Sequence, residues 1–176
     1  QMCIRDSAND QHYEVPPLFF KYCLGPNLKY SSGYWPDHIS TLEESELAML
    51  ELSCERAKIE DGNKILELGC GWGSLTCFMA KKYPNSQITA VSNSKDQRKY
   101  ILERCTKNQI KNVKVITADM NDFEIQDKFD NVISIEMFEH MRNYKKLLSK
   151  ISNFLNKKGS LFIHIFAHEF LAYPFE

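Results

Sequence analysis

Ser134-Ile-Glu-Met-Phe-Glu-His140 sets Glu136, Glu139 and His140 close together at the end of an apolar run. A carboxylate beside an imidazole can attract a cation and take a proton from it, or it can simply bond across and fix a loop. A second stretch, Lys64-Ile-Leu-Glu-Leu-Gly-Cys-Gly-Trp-Gly-Ser74, carries Gly69, Gly71 and Gly73 at alternate positions after the acidic Glu67. Glycine lets the backbone turn tightly and approach a ligand with no Cβ in the way. A helix starting behind such a turn presents free N–H groups to polar ligand atoms. The third glycine comes one residue too early for the dinucleotide fingerprint, so the turn suits a ligand with no pyrophosphate. An ordinary strand–turn–helix connection also places glycines in this way.

These groups need elements to hold them. The apolar periodicity predicts helices over 40–58, 74–83, 94–108 and 143–155, and strands over 64–68, 87–91, 113–117, 129–135 and 160–166. Thr41 with Glu44, and Ser94 with Gln97, read as capping boxes. Leu47, Leu50, Cys54 and Ala57 mark a buried stripe on the first of these helices, and Tyr144, Leu147, Leu148, Ile151, Phe154 and Leu155 one on the last. Lys157-Lys158-Gly159 reads as the end of the last. The aromatic stretch 8–39 suggests an arm that packs on something, with a short helix over 19–24. Alternating strands and helices give an α/β fold: a doubly wound parallel sheet whose ligand sits beyond the strands' carboxyl ends. Those ends hold the glycine turn, Asn93 with Gln97, Asp119 with Met120, and the Glu136–His140 cluster.

The glycine turn resembles the first motif of class I S-adenosylmethionine-dependent methyltransferases. Leu28-Lys-Tyr-Ser-Ser-Gly-Tyr-Trp35, Glu67 to Gly73, Val91-Ser-Asn-Ser-Lys-Asp-Gln97 and Ser134 to His140 together resemble the cyclopropane-fatty-acid-synthase superfamily of such enzymes. Tyr13-Glu-Val-Pro16, Leu24-Gly-Pro26, Asn93 and Phe162-Ile-His-Ile-Phe-Ala-His168 are similar to its coclaurine N-methyltransferase-like branch. The resemblance implies a Rossmann-like fold and S-adenosylmethionine as cofactor. Tyr30 and Ser31 would close over its methionine part, with Gly69 and Gly71 at the same end and Glu67 just before the turn. Asn93 and Gln97 would hold the ribose, and Asp119 and Met120 the adenine. Glu136, Glu139 and His140 would face a methyl acceptor, either a small-molecule amine or, for a cyclopropane synthase, a lipid acyl chain. The latter chemistry uses a bicarbonate held by a cysteine, a glutamate and a histidine; Ser32 stands at the cysteine position, with Glu139 and His164 at the others.

Residues 1–7 resemble translated adaptor sequence and are set aside, leaving an arm over 8–39 and a catalytic domain over 40–176. Members of the resembled family continue past the equivalent of Glu176, so the sequence reads as a fragment that stops after strand five and leaves that strand as an apolar edge. A net charge of −1 gives no basic face for nucleic acid. The six cysteines show no Cys-x-x-Cys spacing, which argues against a zinc site or a disulfide framework and for a reducing cytoplasm. No apolar run reaches membrane-spanning length.

Overall fold

The computed structural model describes residues 17–167 and 169. Gln1 to Ser7, Tyr13-Glu-Val-Pro16, His168 and the aromatics Phe170 to Phe175 lie outside them. In chain order the elements are α1 (Pro17–Cys23), α2 (Leu42–Arg56), β1 (Lys64–Leu68), α3 (Ser74–Lys82), β2 (Gln87–Ser92), α4 (Lys95–Lys107), β3 (Val113–Thr117), β4 (Phe129–Ile135), a single 3-10 turn (Phe138–His140), α5 (Tyr144–Phe154) and β5 (Leu155–His164).

The five strands are parallel and ordered β3-β2-β1-β4-β5. The order reverses beside β1, which opens a crevice at its carboxyl end. Side chains alternate across each strand. Ile65, Ile88 and Ile133 pack with Leu50 of α2 and with Leu75 and Met79 of α3. Leu66, Leu68 and Val132 pack on the opposite face with Leu147, Ile151 and Phe154 of α5. Cys77, Ala90, Ile101, Cys105 and Val115 fill the space where α3 and α4 meet. Central strands buried on both faces read as near-continuous apolar runs, as Ile65 to Leu68 does apart from the buried Glu67.

Local chemistry accounts for most boundaries. The Thr41–Glu44 capping box starts α2 and is complete in both directions. Asn143 caps α5 by accepting the Lys146 amide. Three expectations need correction. Leu47 is exposed, and the buried side of α2 runs instead through Glu46, Leu50 and Cys54. Tyr144 and Leu148 of α5 are likewise exposed. Finally, Lys157-Lys158-Gly159 does not end α5: β5 already begins at Leu155, opposite Phe129, and the register slips before Asn131 meets Ser160. Gly159 sits tight in that bulge, where a Cβ would come 2.8 Å from the Phe129 carbonyl.

The arm divides between core and surface. Phe20 and Leu28 pack on Trp72, whereas Tyr22, Tyr34 and Trp35 stay exposed. Among the described cysteines, all free thiols, Cys23 is exposed while Cys54, Cys70, Cys77 and Cys105 are buried. No helix among the described residues is long and apolar enough to cross a membrane.

Candidate functional site

The glycine turn is fixed by its own backbone. The amides of Gly69 and Cys70 both donate to the Val91 carbonyl at 3.0 Å, tying the turn to β2. Gly71 and Gly73 have positive φ, +51° and +76°. A Cβ on Gly73 would come 2.6 Å from Ile101, but beside Gly71 the space is open. Glu67 lies buried under the turn, where Thr76 Oγ1 donates to its carboxylate at 2.5 Å. Burial pushes this carboxyl up to about 8, against the opposing hydrogen bond from Thr76.

At the end of β2 the second expected capping box is only half made. Ser94 Oγ accepts the Gln97 amide, but the Gln97 side chain does not return to Ser94. Ser92 intervenes: its hydroxyl donates to Gln97 Oε1 at 2.5 Å and accepts the Ser94 amide. Gln97 Nε2 is left buried without a partner. At the end of β3, Asp119 Oδ1 accepts from the amide and side chain of Asn121 at 2.7 Å. Lys150 of α5 braces this loop by donating to the carbonyls of Met120, Asn121 and Phe123. Beyond β4, Glu136 has φ +52° and donates its amide to the His164 carbonyl. Glu139 Oε1 accepts the Phe166 amide at 2.8 Å, and Oε2 is buried without a partner.

The arm crosses this region between two carboxylates. Glu46, almost wholly buried on α2, accepts the amides of Asn27 and Lys29 at 3.0 and 3.1 Å. Gly25 lies so close to that carboxylate that a Cβ would meet it at 2.5 Å. At the other end, the hydroxyls of Ser31 and Ser32 donate to Glu136. Arg104 adds bonds to the carbonyls of Asn27 and Pro26, and Trp72 packs between Phe20, tilted to it, and Tyr100, edge to face.

All twelve candidates named from the sequence line one cavity of about 690 Å³: Tyr30, Ser31, Glu67, Gly69, Gly71, Asn93, Gln97, Asp119, Met120, Glu136, Glu139 and His140. Sequence reasoning missed Lys29, Glu46, Trp72, Thr76 and Ser92. Glu46 could have been found, because 46, 50 and 54 share one helical face. Ser92 could not, since only the folded loop shows it between Ser94 and Gln97. Among the described residues no cluster of His, Cys, Asp and Glu could hold a metal ion.

The family described as mycolic acid cyclopropane synthetase matches residues 4–171. The chain belongs to this family. It is 46% identical to the (S)-coclaurine N-methyltransferase of Thalictrum flavum subsp. glaucum over 97% of its own length and 47% of that protein's. It is 33% identical to the cyclopropane-fatty-acyl-phospholipid synthase of Escherichia coli K12, over 88% of this chain and 39% of that one. A crystal structure of coclaurine N-methyltransferase bound to N-methylheliamine and S-adenosylhomocysteine superposes with a TM-score of 0.89 at 44% identity, over 93% of this chain and 48% of that one. The chain thus spans about half the length of the curated relatives it matches, and its parallel sheet with flanking helices is the Rossmann-like fold of S-adenosylmethionine-dependent methyltransferases.

Proposed function

We propose that the protein transfers the methyl group of S-adenosylmethionine to an amine nitrogen of a small molecule. The observation that carries this reading is the orphaned, buried Nε2 of Gln97, in a cavity that also has open space over Gly71. A buried donor without a partner is costly, and a ligand hydroxyl would relieve it. The same cavity offers Asn93 beside it, the Asp119 carboxylate one strand further, and a glycine turn whose spacing departs from the pyrophosphate-binding fingerprint. That donor set fits an adenosyl thioether.

The cofactor supplies an activated methyl on a sulfonium. Asn93 and Gln97 would bond the ribose hydroxyls. Asp119 would accept from the adenine amino group and Met120 would pack on the ring. Tyr30 and Ser31 would enclose the methionine part against Gly69 and Gly71, above the buried Glu67. The protein's main task is then alignment and exclusion of water. An amine acceptor is mostly protonated near neutral pH. Glu139 and His140 would attract the ammonium and take its proton, freeing the lone pair. Glu136 would face the same acceptor while it holds the arm through Ser31 and Ser32.

Nitrogen is favoured over an alkene by two features. The N-methylating relative is the more similar of the two compared, at 46% against 33% identity. Ser32 has no thiol to offer, and its hydroxyl is already spent on Glu136. A cytoplasmic setting accompanies this reading, consistent with the buried free thiols. The test is a binding and transfer experiment. Calorimetry should show S-adenosylhomocysteine binding and no NAD binding, and methyl-labelled cofactor should mark a secondary amine rather than an unsaturated phospholipid. Label in the phospholipid alone would overturn the choice of acceptor.

A further inference from the structure

Lys29 is a buried cation that none of these roles uses. Its side chain lines the cavity, yet Nζ donates to a neutral group, the Ser31 carbonyl, at 2.7 Å. It forms no ion pair among the described residues. Burial lowers its pKa, and the more distant Glu136 and Glu46 charges only partly offset that. An ammonium held out of water with so little compensation is an unfavourable arrangement unless a ligand completes it.

The sheet order says which part of a ligand Lys29 would meet. Asp119 lies at the tip of β3, Asn93 and Gln97 follow β2, and the glycine turn follows β1. Glu136 lies at the tip of β4, on the far side of β1, and Ser31 is bonded to it. Lys29, bonded to Ser31, is therefore on the β4 side of the glycine turn. An adenosyl group with its ring at β3 and its ribose at β2 must send its amino-acid tail past β1 toward Lys29. The tail ends in a carboxylate.

We infer that Lys29 is the counter-ion for the α-carboxylate of the cofactor's methionine part, reaching it from the arm. This rests on the cofactor assigned above. A charge-assisted bond in a site shielded from water distinguishes ligands with and without the carboxylate.

The experiment compares two thioethers, S-adenosylhomocysteine and 5′-methylthioadenosine, which lacks the amino-acid tail. Lys29→Met should weaken S-adenosylhomocysteine binding roughly 10- to 100-fold and leave methylthioadenosine within about twofold, which also verifies that the variant is folded. On the unaltered protein, the methyl ester of S-adenosylhomocysteine should bind more weakly than the free acid by a similar factor. Unchanged S-adenosylhomocysteine affinity in Lys29→Met, equal loss of both ligands, or equal binding of ester and acid would each overturn the inference. Unaltered protein that binds neither thioether would instead bring down the cofactor reading, and this inference with it.

Discussion

Gly71 and Glu67 show how differently two residues of one turn can be placed. Gly71 has positive φ and nothing within 4 Å of where a Cβ would stand, so the space it leaves belongs to the cavity. Gly71→Val fills that space and strains the backbone. Calorimetry should show S-adenosylhomocysteine binding abolished, and unchanged affinity would remove the turn from the site. Glu67 has no such freedom. Its buried carboxyl titrates near 8 in the folded protein, against 4.5 when unperturbed. Between those values the folded state keeps a proton that the unfolded chain has lost. Stability should therefore fall as pH rises from about 4.5 to 8, by up to about 1.4 kcal/mol per unit. Glu67→Gln should flatten that slope in melts taken at pH 5 through 8; an identical slope in the variant would place the proton elsewhere. On the acceptor side, Glu139→Gln and His140→Ala should lower turnover by roughly 10²–10⁴-fold with cofactor affinity nearly intact. A matching loss of affinity would make the pair structural.

The arm segment from Gly25 to Ser32 is strung between Glu46 and Glu136, and the first of these posts is the firmer. It is a buried carboxylate facing two backbone amides. Glu46→Leu would leave both amides unpaired, at about 1–3 kcal/mol each. Proteolysis should then cut the arm faster and cofactor binding should weaken, while Glu46→Gln, which keeps an acceptor oxygen, should recover both. Resistance of the Leu variant to cleavage would mean that Trp72 and Arg104 suffice. Much of this level was legible in the sequence. Thr41 and Glu44 announced α2, and the apolar runs located β1, β3 and β4 at their observed positions. The five strand ends converge because a parallel sheet allows little else. What was not legible depends on contacts distant in sequence. Gln97 looked like a capping residue because its competitor, Ser92, precedes the motif. Glu46 shares a helical face with Leu50 and Cys54, but the two arm amides it accepts lie 17 and 19 residues away. The start of β5 was hidden because Lys157-Lys158-Gly159 resembles a helix end, and only pairing with Phe129 makes it a bulged strand.

At the scale of the molecule, the sheet has two edges among the described residues, β3 and β5, and they differ in kind. β3 presents Lys114 and Thr117, whereas β5 ends in Leu161-Phe162-Ile163-His164 followed by exposed Ile165 and Phe166. Among the described residues nothing pairs with the outer side of β5. Lys157 and Lys158 charge only the start of β5, and the apolar stretch that follows them is a template for strand addition. Residues 8–176 expressed alone should therefore self-associate on size exclusion, and Ile163→Lys should shift them toward monomer. A monomeric, cooperatively melting parent chain would show that this edge is already covered. The distribution of thiols has a practical consequence of its own. Four of the described cysteines are sealed in the interior, and burial raises Cys54 to about 12 and holds Cys70 well above the usual thiol range. Cys23 alone among them faces solvent, at the last residue of α1. With Cys3 replaced by serine, a maleimide dye would report from one known position on the arm without any label on the ligand.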